Sequence, residues 1–152
     1  MEKLVYENYI NIIRRSVDAK MFQNLYCKKE DKIIDVLNNG VLSCAYFVSV
    51  ILKMFSMINK EHTTVKNTIT DMMNSGWGEA NINNIKEGDV IIWNKVKYDD
   101  GSEHAHIGFY IGNKQAISNS TTERVPSEHH FTYDGEREVD LVMRYSGKNV
   151  IA

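Results

Sequence analysis

Proline is almost missing from this chain: Pro126 is the only one in 152 residues. Cysteine is scarce as well. Cys27 and Cys44 are too few for a disulfide framework, and one bridge between them would consume a thiol at the start of a helix-like segment, so both are read as free. No long apolar run is present. The longest, Ala45 to Met57, is broken by Ser49, Lys53 and Ser56 and falls short of the roughly 20 residues that span a bilayer. Positive charge is not in excess, since 18 Lys and Arg stand against 20 Asp and Glu, for a net charge of -2. Nucleic-acid binding driven by bulk charge is thereby excluded. The first ten residues lack a basic region followed by an apolar stretch and a small-residue cleavage site. The expectation is a cytoplasmic protein with no membrane and no nucleic-acid partner; signal-independent export and release by lysis stay open.

What is there is an ordinary globular composition, 43% hydrophobic and 25% charged. Residues 1–152 are expected to form a single domain with a core that needs no staples. Leu4, Tyr9, Ile10, Ile13 and Val17 recur at helical spacing and predict a helix over residues 2–19. Ile33, Ile34, Val36 and Leu37 suggest a short helix before the turn Asn38-Asn39-Gly40. A second helix starts near Ser43, whose hydroxyl is placed to cap it, and its nearly all-round apolar surface marks it as central. A third follows Thr63-Thr64, with Val65, Ile69, Met72 and Met73 inward, and ends at Ser75-Gly76-Trp77-Gly78.

From Ile85 onward the period changes from helix to strand. Val90 to Trp93, His106 to Ile111, Gln115 to Asn119 and Val139 to Tyr145 read as strands, with a tight hairpin at Gly112-Asn113-Lys114. Residues 120–138 read as a long polar loop anchored by Phe131 and Tyr133. Helices first and antiparallel strands after is an α+β pattern, here with a sheet of about five strands.

Two segments carry chemistry. Gly-Val-Leu-Ser-Cys-Ala-Tyr-Phe-Val-Ser puts Cys44 in the first turn of a helix, where unpaired N–H groups and the dipole favour a thiolate and offer an oxyanion site. His-Ala-His-Ile-Gly-Phe-Tyr-Ile-Gly puts His106 at a strand start, on the face of Gly108, which leaves room beside the ring. A cysteine on an apolar helix is more often a small core residue, and only the pair makes a nucleophile and base.

The order of these segments, with Gly-Asp-Val-Ile-Ile-Trp before the histidine strand and Ala-Ile-Ser-Asn-Ser after it, resembles the NlpC-type and CHAP-type peptidoglycan hydrolases, the bacterial branch of the papain-like fold. The resemblance covers roughly residues 42–120. It implies N-terminal helices packed on an antiparallel sheet, a cysteine peptidase or amidase acting on cell-wall peptides, and no cofactor. It also implies a third polar residue on the next strand that orients the histidine. Ungapped counting gives Ser118; a one-residue shift gives Asn119, the favoured candidate because serine orients imidazole weakly. Tyr26 is a candidate for the aromatic hydroxyl that relatives place near the thiol. Trp77, Trp93 or the loop 120–138 would line the groove.

Three other readings stand beside this one. His104 and His106, joined by His62, His129 or His130, could present imidazoles to a metal, although no carboxylate sits at a confirming spacing. A non-catalytic binding or regulatory module could use the same scaffold. Acyl transfer would use the same catalytic groups as hydrolysis. The oligomeric state is left open.

Overall fold

The computed structural model describes residues 1–147. Helix α1, Val5–Arg15, presents Tyr9, Ile10 and Ile13 to the core and keeps the expected amphipathic face, with Leu4 outside it. The chain then forms a detached two-stranded hairpin, β1 (Tyr26–Lys29) and β2 (Lys32–Asp35). The short helix expected around Ile33 is therefore a strand instead. Glu30 and Asp31 both take positive φ, which closes the two-residue turn and makes a hairpin of the charged stretch. Asp35 then organises the exit from the hairpin, accepting from the N–H groups of Leu25, Leu37 and Asn39.

Helix α2, Cys44–Met54, runs through the middle of the molecule and buries Ala45, Phe47, Val48, Ile51 and Leu52. Helix α3, Val65–Asn74, is capped as expected by Thr64, whose hydroxyl accepts from the Asn67 N–H. Its inward face is Met72 and Thr68, while Met73 is 60% exposed, not inward. Residues Trp77–Ala80 form strand β3 where only a helix stop was expected, because Trp77 pairs with Tyr145 at the sheet edge.

The main sheet has six antiparallel strands, one more than expected. Its remaining members are β4 (Val90–Lys97), β5 (Glu103–Tyr110), β6 (Gln115–Asn119), β7 (Pro126–His130) and β8 (Val139–Tyr145), in the order β3-β8-β4-β5-β6-β7. Strand β7 falls inside the stretch read as loop. Its residues Pro-Ser-Glu-His-His lack apolar alternation, and its proline sits on an edge strand, where a missing donor costs nothing. One face of the sheet packs on α1 and α2 through Ile92, Ile107, Phe109 and Ile117. The Gly-Asp pair before β4 is a joint: Gly88 takes φ +96° under Tyr9, and buried Asp89 accepts two bonds from the Arg144 guanidinium on β8. That fixes the register of the central strands, from which the candidate site is built.

Candidate active site

Cys44 is the first residue of α2 and is part-buried. The turn that delivers it is held from the sheet: the buried Asn119 amide, 1% exposed, donates to the Gly40 carbonyl at 2.8 Å. Gly40 has φ +93°, and a Cβ there would lie 2.5 Å from the Arg124 carbonyl, so glycine is required at this close approach. Ser43 does not cap α2. Its hydroxyl is buried without a hydrogen-bond partner among the described residues, so the first turn leaves its N–H groups to the thiol. Burial pushes the Cys44 thiol up, against the pull of the Ile107, Ala45 and Cys44 N–H groups and the Arg137 charge.

His106 lies in β5, opposite Trp93 of β4, and is 3% exposed. Its Nε2 lies 3.0 Å from the Ser118 hydroxyl. This contact exists because Gly108 faces Ser118 across the β5–β6 ladder, two residues from His106 and on its face. The room left by Gly108 is filled by Ser118 and Trp93: a Cβ there would stand 2.7 Å from Ser118 Cβ and 3.0 Å from the Trp93 ring. The hydrogen bond to His106 thus comes from Ser118. Asn119, the favoured candidate, instead ties β6 to the turn before α2, with no β-bulge between Gly108 and Ser118 to bring it round.

Ser118 does not act alone. Its Oγ also lies 2.7 Å from His129 Nε2 and 3.0 Å from the Tyr133 hydroxyl. His129 Nδ1 lies 2.8 Å from the His130 carbonyl, which can only accept, so Nδ1 carries the proton and Nε2 is left as an acceptor. Ser118 therefore donates to His129 and accepts from His106 Nε2–H and from Tyr133. The network assigns His106 its proton on Nε2 and leaves Nδ1 free to take one. Burial first, then the Arg137 charge and His129, push His106 down to about 3, so the imidazole is neutral at rest. Burial likewise lowers His129 and raises Tyr133, which keeps every member of the network uncharged.

The sulfur lies against β5 at Ile107. The Ile107 N–H that acts on the thiol belongs to the residue after His106. Among the described residues no hydrogen bond joins the thiol to the imidazole, and the two side chains open onto neighbouring cavities of about 370 and 320 Å³. Catalytic hydrogen bonds are often long before substrate closes the site. Tyr98, whose own hydroxyl is raised by burial and by the Cys44 charge, lines the thiol's cavity. Tyr26 is 67% exposed on the two-stranded hairpin and is not among the residues that line the thiol's cavity. Trp93 backs His106 and His129, while Trp77 lines a separate cavity with Tyr6 and Tyr9 at the other end of α2.

The histidines weighed as metal ligands have other partners. His104 lies 2.8 Å from Ser102 and packs on Tyr98, His62 lies 2.7 Å from Asp71, and His130 Nδ1 takes the Thr132 hydroxyl. Among the described residues no three His, Cys, Asp or Glu side chains are grouped to hold a metal. Sequence reading did not assign His129, Tyr133, Tyr98 or Arg137 to the thiol site. His129 left a trace as one of an adjacent histidine pair, and Tyr133 and Arg137 fall in the loop 120–138 expected to line the groove, but their places depend on a strand hidden in polar sequence.

No curated protein matches the chain. The solved structure of NlpC2 from Trichomonas vaginalis is similar in fold, with a TM-score of 0.58 at 17% identity, covering 97% of this chain and 49% of that one. This chain therefore spans about half the length of that structure. The model of the NlpC/P60 family matches residues 40–142, from the turn before Cys44 into β8 and across every residue of the network. The chain belongs to the NlpC/P60 family.

Proposed function

We propose that this protein is a cysteine peptidase or amidase, acting on an amide in a peptidoglycan-type peptide. Cys44 is the nucleophile and His106 the general base and then acid. Ser118 orients the imidazole, with His129 and Tyr133 behind it. The observation that carries this reading is the chain His106–Ser118–His129–His130 carbonyl, which leaves His106 Nδ1 as the proton-accepting nitrogen. It answers the objection that a serine alone orients imidazole weakly, since this serine has its own hydrogen committed to a second histidine.

The resting pair is thiol and neutral imidazole, because burial disfavours charge on both. Attack is then general-base catalysed. His106 Nδ1 takes the Cys44 proton as sulfur bonds to the scissile carbonyl carbon. The oxyanion gathers at the main-chain N–H groups of the first turn of α2. The imidazolium passes its proton to the leaving amine as the C–N bond breaks, leaving a thioester. Water, deprotonated by His106, attacks the thioester and releases the acid and the thiol.

One observation favours a non-catalytic module on the same scaffold: the thiol is raised and no hydrogen bond joins it to His106. A digest separates the two. Purified peptidoglycan incubated with the protein should yield soluble peptide fragments with new amino termini, read by mass spectrometry. Prior treatment with iodoacetamide should stop their release. Absence of fragments from peptidoglycan and from its isolated peptides would support the module instead.

A further inference from the structure

Arg137, in the segment between β7 and β8, reaches back over the sheet to β5, and its charge acts on both Cys44 and His106. Its Nε and Nη2 donate to the Asn94 carbonyl at 3.3 and 3.2 Å, and Nη2 donates to the His104 carbonyl at 3.2 Å. Those contacts fix the plane of the guanidinium and use neutral acceptors only. Among the described residues no carboxylate lies within 4 Å of it, although the other part-buried arginine, Arg144, is paired with Asp89. Glu136 lines the same cavity and stays exposed without reaching it. Nη1 makes no hydrogen bond to the described residues. The cavity that Arg137 shares with His106, His129 and Tyr133 is otherwise walled by Asn119, Ser120, Thr121, Thr122, Ser127 and Glu136. A part-buried cation without a counterion, beside hydroxyl donors and open to a cavity, is an arrangement that an anion completes.

We propose that Arg137 is a specificity residue that anchors a substrate carboxylate beside the scissile amide. This rests on the thiol-hydrolase reading for its biological use, though not for its test. With Nε and Nη2 held by the two carbonyls, Nη1 is the donor left for a carboxylate, a single charge-assisted contact that a lysine ammonium also makes as a point charge. Binding the anion would also offset the positive charge that lowers His106, so the imidazole accepts the thiol proton more readily once the correct substrate is seated. Substrates with a carboxamide at that position leave the charge uncompensated.

The test compares alkylation of Cys44 by iodoacetate and by iodoacetamide, which differ in charge and hardly in size. Both react with the thiolate, so their rate ratio cancels the thiolate fraction and reads the local anion preference. Arg137→Gln should lower the iodoacetate-to-iodoacetamide ratio at Cys44 by about tenfold, the effect of one charge-assisted contact. Exposed Cys27 on β1 should show no change, and Arg137→Lys should stay within about threefold of the unmodified protein. An equal ratio in the protein and in Arg137→Gln would overturn the proposal, as would a fall in Arg137→Lys as large as in Arg137→Gln. On matched peptides bearing a carboxylate or a carboxamide next to the cleaved bond, the carboxylate preference in kcat/KM should disappear in Arg137→Gln. Should no peptide be cleaved at all, the hydrolase reading fails and the alkylation ratio still decides the anion site.

Discussion

Cys44→Ala should remove peptide cleavage, by roughly four orders of magnitude or more, because loss of the nucleophile takes the covalent route with it. The same change should leave thermal unfolding nearly untouched. Cys44 is part-buried at a helix start, its neighbours Ala45 and Phe47 carry the packing, and alanine is a good residue for the first turn. The combination matters. A core cysteine replaced by alanine would lower stability without a specific effect on chemistry, whereas this site predicts lost turnover at a stability change within about 1 kcal/mol. Initial rates on a soluble peptidoglycan peptide, together with a thermal melt, check both halves. Cleavage persisting in Cys44→Ala would remove the thiol from the mechanism.

Gly108→Ala should damage fold and chemistry together. The added carbon would sit 2.7 Å from Ser118 Cβ and 2.8 Å from the Ile117 carbonyl, on the facing strand. Neither is the far end of a flexible side chain, so β5 and β6 have to move apart. Overpacking of this kind costs about 1–3 kcal/mol, which for a chain of this size lowers the melting temperature by roughly 2–10 °C. The displacement falls on the His106–Ser118 contact, and a shift near 1 Å in a positioning group is worth about a hundredfold in rate. Melting temperature and kcat, measured on the same preparation, should fall together. A variant as stable and as active as the parent would show that the glycine is not what brings Ser118 to the histidine.

The pattern of this glycine also explains how far the sequence could be read. The His-Ile-Gly-Phe-Tyr-Ile-Gly segment was legible because apolar alternation places His106 and Gly108 on one face, and the structure keeps them there. Helices α2 and α3 and the hairpin at Asn113-Lys114 were legible from spacing, a threonine cap and residues that tolerate positive φ. Strand β7 was not, because the only apolar cue in Pro-Ser-Glu-His-His is a proline that ordinarily argues against a strand. Hiding β7 hid His129, and with it the second partner of the Ser118 hydroxyl. Asn119 looked better than Ser118 on side-chain chemistry alone. Backbone pairing places them differently: the ungapped β5–β6 register puts Ser118 opposite Gly108, and Asn119 bonds to Gly40. Around β2, Ile33, Ile34, Val36 and Leu37 together have the spacing of a short helix, although the strand ends at Asp35 between them.

The neutral histidine has a consequence for acid stability. With His106 held near 3 in the fold against an ordinary value of 6.5, the unfolded chain binds a proton below pH 6.5 that the folded chain refuses. The stabilising effect of this group is therefore full above pH 6.5 and declines as pH falls toward 3, by at most about 1.4 kcal/mol per pH unit.

The imidazole nitrogens of His106 report the whole account at once. In nitrogen-15 spectra across pH, the ring should be neutral with its proton on Nε2 from pH 8 down to about 4, and His129→Ala should loosen that preference while Asn119→Ala leaves it alone. A ring protonated on Nδ1, or one titrating near 6.5 like an imidazole in water, would mean that the base does not point its free nitrogen at the thiol and that the serine–histidine chain does not hold it.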